Sequence, residues 1–289
     1  MPAPSSTRRP ARTGRRAAAL LAGAAALTAG LGACSASPET GAEATGTDRT
    51  PLEVVNASLA KSTETATAKF ALDVQASGEG ENATVTGEGA FDAAQEAAEV
   101  RLQITAPGVS GLQPTVRLTG DTLYVTGVPG IAAGAWLQAP LETGADLGLD
   151  AHALNPAEQL QQLRAVSSDV RELGTSTVRG VEATGYAGTI DLRKALDSAS
   201  TPAERAEAEK ALADSGVSEV PFELYVDSED RPVRMVVDAS AEHEGQRASA
   251  TVSVDYFDWG TDVDVAAPPA DAIVEAPAEL AATEALQTS

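Results

Sequence analysis

The side chain with the most distinctive chemistry in this sequence is a single thiol. Cys34 is the only cysteine of the chain, and the small residues Gly32 and Ala33 precede it directly. A lone thiol forms no internal disulfide, so the folded part of the chain must be stabilised by packing. The sequence before Cys34 is apolar and the sequence after it is polar, which marks this residue as the first candidate for covalent chemistry.

A second candidate is a group of carboxylates near the C-terminal end of the chain. Asp255, Asp258, Asp262 and Asp264 lie within ten residues of one another and could supply oxygen ligands to Ca²⁺. The turn glycine and the ligand spacing of a calcium-binding loop are missing, however. We therefore expect these side chains to be solvated turn carboxylates.

Catalytic motifs are missing from the sequence. The two histidines, His152 and His243, lie far apart and do not have the spacing of metal ligands. There is no nucleophile elbow and no glycine-rich phosphate loop. The sequence thus predicts a protein that is not an enzyme and that needs no metal and no cofactor.

The charge of the chain excludes a further class of partners. The whole chain has a formal charge of −22, and all five charged residues of the first 33 positions are arginines. Without that segment, 15 basic and 42 acidic side chains remain, which gives a charge of −27. Binding to phosphate backbones needs clustered lysine and arginine, so a nucleic-acid partner is not expected.

The N-terminus has the order of a secretory signal. Residues 1–16 are arginine-rich, residues 17–30 are apolar and uncharged, and Leu31-Gly32-Ala33-Cys34 follows. The apolar run is shorter than the roughly 20 residues that a membrane-spanning helix needs. The arginine pairs at 8–9 and 15–16 leave export by the Sec or the twin-arginine route open.

The segment Leu31–Cys34 resembles the lipobox of bacterial lipoproteins. The resemblance implies transfer of a diacylglycerol to the Cys34 thiol and cleavage before Cys34, with two or more acyl chains (palmitate among them) giving a stable anchor. The predicted organisation is a signal peptide (1–33), a flexible tether (34–50), one folded domain (51–265) and a disordered Pro/Ala/Glu-rich tail (266–289). The mature protein is expected on the extracytoplasmic face of the cell membrane.

Three helix starts share one pattern, a capping residue followed by proline and then by glutamate at the third helical position. They predict helices at 51–64, 156–165 and 202–213, with a further helical turn at 191–197 capped by Asp191. The first of these helices is expected to bury Leu52, Val55 and Leu59.

Elsewhere the apolar residues alternate with polar ones, which indicates half-buried antiparallel strands. The alternating positions are Phe70, Leu72 and Val74; Val100, Leu102 and Ile104; Val116 and Leu118, then a turn at Gly120-Asp121, Leu123 and Val125; Val220, Phe222, Leu224 and Val226; and Val252, Val254 and Tyr256. The predicted fold class is α+β, a strongly curved antiparallel sheet with helices on its apolar face. Gly78, Gly80, Gly87 and Gly89 predict a loosely specified edge in the second hairpin.

Several segments together resemble the LppX/LprG group of actinobacterial lipoproteins, whose fold is similar to that of the lipoprotein carriers LolA and LolB. They are the lipobox, residues 181–191, the segment VPFELYVDSEDRPVRMVVD at 220–238, and the closing Asp258-Trp259-Gly260. The resemblance implies a half-barrel with helices over its mouth. It also implies an apolar cavity that holds the acyl chains of a lipid or lipoglycan, which the protein carries or presents in the cell envelope.

Within such a half-barrel, the inward positions of the strands would form the wall of the cavity. The predicted wall consists of Leu102, Ile104, Val116, Leu118, Phe222, Leu224 and Val226. Core residues and cavity walls use the same residue types, so an interaction or regulatory lipoprotein on the same scaffold without a lipid cargo remains the alternative. The protein is expected to be a monomer.

Overall fold

The computed structural model describes residues 49–78, 80–141, 169–197, 205, 209, 217–243 and 246–274. The signal peptide with Cys34, nearly all of the tether, the helix expected at 156–165 and residues 275–289 lie outside the described residues. Of the helix expected at 202–213, only Arg205 and Glu209 are described, and both are helical.

Helix α1 (Pro51–Thr65) begins as its capping pattern predicts. The hydroxyl of Thr50 accepts a hydrogen bond from the Glu53 backbone N–H, and the Glu53 carboxylate accepts one from the Thr50 N–H at 2.7 Å. The helix buries one stripe, which is formed by Val54, Val55, Ser58, Leu59 and Ser62. Leu52, which was expected in that stripe, is only half-buried, because it lies in the first turn at the margin of the packed face.

Among the described residues, thirteen strands form a single sheet. They are β1 (Thr67–Gly78), β2 (Glu81–Asp92), β3 (Ala97–Ala106), β4 (Val109–Leu112), β5 (Thr115–Thr119), β6 (Thr122–Thr126), β7 (Trp136–Pro140), β8 (Arg171–Val178), β9 (Val181–Asp191), β10 (Glu219–Val226), β11 (Pro232–His243), β12 (Gln246–Phe257) and β13 (Ile273–Val274). Helix α2 (Leu192–Asp197) follows β9, and the Asp191 carboxylate accepts the Arg193 N–H at 2.9 Å, as expected for its cap.

The strand order is β13-β7-β6-β5-β3-β2-β1-β12-β11-β10-β9-β8, and β4 pairs with β3 outside this path. All pairs are antiparallel except β13 with β7. The expected curved antiparallel sheet is therefore present, and it is large and unclosed. The described residues contain few helices, so the expected cover of helices over the apolar face is not clearly seen. The ordered fold continues to Val274, because a 3-10 helix (Ala270–Ala272) leads into β13 beyond the expected domain end at 265.

The period-two pattern of the sequence matches the burial of the strands. In β10, buried residues alternate with more exposed ones from Val220 to Val226, and in β5 only Val116 and Leu118 are buried. The two-residue turn at Gly120-Asp121 joins β5 to β6 as predicted. One face of the sheet, the inner face, therefore carries most of the apolar side chains, and the outer face is mainly polar. A small second cluster of Val178, Ala183 and Val233 is packed against Tyr225.

The expectation of a loose edge at the glycines of the second hairpin is wrong, because β2 lies inside the sheet between β1 and β3. Gly89 lies opposite Phe70, and a Cβ at Gly89 would lie 2.6 Å from the Phe70 ring and 2.2 Å from the Glu99 carbonyl oxygen. Gly188 on β9 lies opposite Phe222 in the same way, with 2.8 Å between its hypothetical Cβ and the ring. These glycines let a large ring lie across the neighbouring strand.

Candidate functional site

The inner face of the sheet divides into two parts along the strands. Near the end where α1 meets β1, buried apolar side chains form a continuous cluster, which we call the core cluster. It receives Val55 and Leu59 from α1 and extends across the sheet from β6 to β9. Residues Leu102 and Leu224 belong to it although five strand positions separate β3 from β10 in the sheet.

Six of the seven predicted cavity-wall residues lie in the core cluster. They are Leu102, Val116, Leu118, Phe222, Leu224 and Val226, and none is more than 6% exposed. The seventh, Ile104, is half-buried and packs against the cluster from the other part of the inner face. The structure thus brings all seven together on one face, with Ile104 in a different environment.

Toward the opposite end of the strands, the inner face carries a row of half-buried β-branched residues. Ile104 pairs with Val85, Val85 with Val74, Val74 with Val252, and Val252 with Val237. Because these pairs are in register, the five side chains form one apolar line across β3, β2, β1, β12 and β11. Val237 in turn pairs with Phe222 on β10, which joins the line to the core cluster.

The next inward positions along the same strands are alanines. Ala76 pairs with both Ala83 and Ala250, and Ala250 pairs with Ala239. All four are half-buried. A row of methyl groups beside a row of longer side chains makes a step in the surface, and we call the two rows together the apolar trough. Sequence reasoning missed the trough, although the alternation of alanine in ASATVSV and VVDASAE is visible there.

The outer face behind the trough is polar, so the two faces differ sharply. Asp73 and Gln75 flank Val74 along β1, and a hydrogen bond of 2.8 Å joins their side chains. On the neighbouring strands, the Thr251 hydroxyl donates to the Asp238 carboxylate at 2.6 Å. In this part of the sheet, the inner face therefore offers the uncharged apolar surface.

At the α1 end of the inner face, aromatic rings of the core cluster pack against one another and against Trp259. The ring centroids of Phe70 and Phe91 are 6.4 Å apart, those of Phe91 and Trp259 6.0 Å, and those of Tyr256 and Trp259 5.8 Å. The Tyr256 hydroxyl is buried without a hydrogen-bond partner among the described residues, and burial raises its pKa. The Ser58 hydroxyl of α1 is buried in the same unpaired way in the described part of the chain.

A small depression of about 200 Å³ lies on the sheet at β9 and β10. Its lining is mostly polar and includes Arg171, Thr189, Glu223 and Asp238. Because Glu223 alternates with the core residue Phe222, it points to the outer face. The size and polarity of this depression do not suit an acyl chain.

Two of the four carboxylates that could have bound calcium form ion pairs with different basic side chains. Asp255 accepts two hydrogen bonds from Arg234, at 2.5 and 2.8 Å, and Asp258 pairs with Lys69 at 2.9 Å. No group of three or more potential metal ligands comes together within the described ranges. His243 ends β11, whereas His152 lies outside the described residues. Within the described ranges, no helix is long and apolar enough to cross a membrane.

Comparisons with known proteins give one match in sequence and several in structure. No protein-family model matches the chain. A stretch of 122 residues is 31% identical to an uncharacterized 31.2 kDa protein of the rplA-rplJ intergenic region of Streptomyces griseus. It covers 42% of this chain and 38% of that protein, so the match spans about two fifths of the relative's length.

Among solved structures, the chain is similar to the lipoprotein LppX of Mycobacterium tuberculosis, with 17% identity and a TM-score of 0.47, over 76% of this chain and 100% of LppX. It is also similar to LprF of Mycobacterium bovis, with 17% identity and a TM-score of 0.45, over 75% of this chain and 96% of LprF. These neighbours are lipoproteins of the LppX/LprG type, the group that the sequence motifs resemble.

Proposed function

We propose that this protein is a lipoprotein of the cell envelope, anchored through Cys34, that binds the acyl chains of a lipid or lipoglycan in the apolar trough and carries or presents them. The observation that carries the proposal is the trough itself. Nine inward-facing residues on four central strands and β3 are uncharged, and they remain half-buried beside a closed core.

The chemistry of the trough suits an acyl chain. Burial of each methylene is worth about 0.8 kcal/mol, so a chain that covers the two rows would gain several kcal/mol without any polar contact. The alanine row leaves room for the chain, and the valine row gives it a wall.

A second candidate is an envelope interaction or regulatory protein on the same scaffold without a lipid cargo. The near-complete burial of Leu224 and Phe222 favours it, because these residues then form an ordinary core and not a cavity wall. Under this hypothesis the trough is the half-buried margin of that core.

Native mass spectrometry of the chain purified from its host separates the two candidates. A lipid carrier should release an apolar ligand of defined mass when the protein is activated in the gas phase. The same measurement on an Ala76→Phe variant should show the ligand reduced by about tenfold or more, because the ring fills the trough. Its melting temperature should stay within a few degrees of the wild type, since Ala76 is only half-buried.

The matched control is Ser77→Phe, on the same strand but on the outer face, where the side chain is exposed. This variant should keep the ligand. A wild-type protein that carries no apolar ligand, or equal ligand in both variants, contradicts the proposal. A second variant, Leu224→Trp, tests the core cluster: if Leu224 is close-packed core, overpacking should destabilise the protein by about 1–3 kcal/mol.

A further inference from the structure

Two segments at one corner of the molecule contain no charged residue, in a protein that is otherwise strongly acidic. Between Arg101 and Arg117, and again between Asp121 and Glu142, the sequence contains no aspartate, glutamate, lysine or arginine. Within these two segments, residues 106–114 run from the end of β3 through the turn at 107–108 and β4 to the start of β5, and residues 127–135 form the turn between β6 and β7. We call these two stretches together the neutral corner. Over the same chain the acidic side chains outnumber the basic ones by more than two to one.

The two stretches of the neutral corner lie side by side. Thr115 and Thr126, which border them, are paired in the β5–β6 ladder. A Cβ at Gly127 would lie 2.6 Å from the carbonyl oxygen of Gln113, so the two stretches are in direct backbone contact. The corner therefore presents one continuous surface.

This surface is apolar and exposed. Val109, which begins β4 directly after the turn at 107–108, is 41% exposed. Pro129, Ala132 and Ala133 are exposed in the turn 127–135, with Ile131 half-buried beside them. The backbone of this turn is largely satisfied internally. The Ile131 N–H donates to the Val128 carbonyl, the Ala135 N–H to the Ala132 carbonyl, and the Thr126 hydroxyl to the Ala135 carbonyl. Because these backbone groups are already paired within the turn, few hydrogen bonds to water are lost when the turn moves from water to a membrane.

The opposite end of the strands is rich in charge and holds the root of the tether. Arg49 forms two hydrogen bonds of 2.8 Å with Asp230 in the β10–β11 turn, and Lys69 pairs with Asp258 at the same end. A strand of twelve residues such as β1 spans about 40 Å along the sheet. The fifteen residues from Cys34 to Arg49 can extend to about 50 Å, so the tether lets either end reach the membrane.

We propose that the neutral corner docks on the surface of a lipid bilayer. A bilayer fits this corner because docking there buries the exposed apolar side chains of the two segments at the headgroup boundary, and because the segments themselves contain no charge that would have to leave water. Docking would also bring the trough to the membrane, since Ile104 of the valine row lies two residues before the first stretch. This last step rests on the proposed function, whereas docking itself does not.

The test uses three single cysteine substitutions at apolar positions of equal exposure. Val109 in the corner, Leu173 on β8 and Val181 on β9 are 41%, 42% and 43% exposed. The three variants are Val109→Cys, Leu173→Cys and Val181→Cys. Each variant is purified from the host as the full, processed protein and is labelled at the new cysteine with an environment-sensitive dye. Wild type labelled in parallel reports any reaction at Cys34. The proteins are then mixed with phosphatidylcholine vesicles that contain a spin-labelled lipid.

We expect quenching of the dye at position 109 and little quenching at 173 and 181. The readout is local to each dye, so attachment of the N-terminus to the vesicle does not imitate it. Adding Ile131→Asp to the Val109→Cys protein should weaken docking by roughly tenfold, because a charge replaces an apolar group at the membrane. Phosphatidylglycerol vesicles should dock less well and improve with salt, since the acidic domain is repelled by anionic lipid.

Equal quenching at all three positions, or none at 109, overturns the proposal. A change in the position-109 dye that needs no vesicles and grows with protein concentration also overturns it, because the corner would then be an interface between copies of the chain. Native mass spectrometry of the same samples reports the cargo separately, so failure of docking and failure of lipid binding are distinguishable.

Discussion

The indole N–H of Trp259 donates a hydrogen bond of 2.9 Å to the backbone carbonyl of Pro232, 27 residues earlier in the chain. Trp259 follows the last long strand, and Pro232 begins β11 directly after the β10–β11 turn. The bond therefore joins two segments that the sequence displays as separate motifs, the turn at 227–231 and the closing Asp258-Trp259-Gly260. Trp259 also packs edge-on against Phe91, which ties both segments to the core cluster.

Trp259→Phe should destabilise the protein by about 1–2 kcal/mol. The variant keeps an aromatic ring but leaves the Pro232 carbonyl without its donor, and an unpaired, partly buried carbonyl costs about that much. Urea denaturation followed by circular dichroism measures the change. Trp136→Phe is the control. The Trp136 ring lies 4.6 Å from the Arg117 guanidinium, and weakening this contact should lower the free energy of unfolding by less than about 1 kcal/mol. A larger loss for Trp136 than for Trp259 would contradict the role given to the hydrogen bond.

Gly188→Ala should destabilise the protein, and a smaller side chain at position 222 should reverse much of the loss. The new Cβ would meet the ring of Phe222 at 2.8 Å, so the double variant Gly188→Ala/Phe222→Leu removes the clash. We expect a coupling free energy of about 1 kcal/mol or more in a double-mutant cycle of unfolding free energies. Phe70→Leu should not rescue Gly89→Ala in the same way, because the new Cβ at position 89 would also lie 2.2 Å from the backbone oxygen of Glu99. Rescue of Gly89→Ala by Phe70→Leu would show that the backbone contact is unimportant.

Thr50→Ala should cost about 1 kcal/mol of unfolding free energy, because it removes the N-cap of α1 and one half of the capping box. Glu53, the partner of Thr50 in the capping box, makes the free energy of unfolding depend on pH. Hydrogen bonds from the backbone N–H and the hydroxyl of Thr50 hold the pKa of Glu53 below its ordinary value of 4.5. The stabilisation by Glu53 is therefore complete above pH 4.5 and is lost as the pH falls through the lowered pKa.

Chemical denaturation of the wild type and of Glu53→Gln across this acidic range checks the sign. The stability difference between the two proteins should be largest near neutral pH and should shrink as the pH falls below 4.5. A difference that grows on acidification would mean that the protonated carboxyl is the favoured partner of the cap.

Cys34→Ala should stop lipid attachment, and the protein should accumulate with its signal peptide or leave the membrane fraction. The basis is the position of Cys34 after the small residues of the lipobox-like segment and the lack of any other cysteine in the chain. Mass spectrometry of the N-terminal peptide, together with membrane fractionation, measures both outcomes. A Cys34→Ala protein that is processed and retained on membranes like the wild type would contradict the anchor.

The sequence by itself determined the local structure and the face of each strand. The cap of α1, the turn at Gly120-Asp121 and the inward side of β10 follow from side-chain chemistry and from a period of two, which act within a few residues. They were predictable for that reason. The stripe of α1 was predicted less well, since Leu52 and Val54 differ by where the helix meets the sheet and not by their own apolar character.

Only the tertiary structure decided which inward residues are closed core and which form an open surface. Ala76 and Ala250 become neighbours through the pairing of β1 with β12, two strands that are far apart in the chain. Their register depends on packing across the whole sheet, because a slip of one residue would turn every side chain to the other face. The placement of Gly89 inside the sheet, and the contact between the two stretches of the neutral corner, arise in the same way from long-range pairing. Alternation sets the face of a residue, but the partners that it meets there are set by strands elsewhere in the sequence.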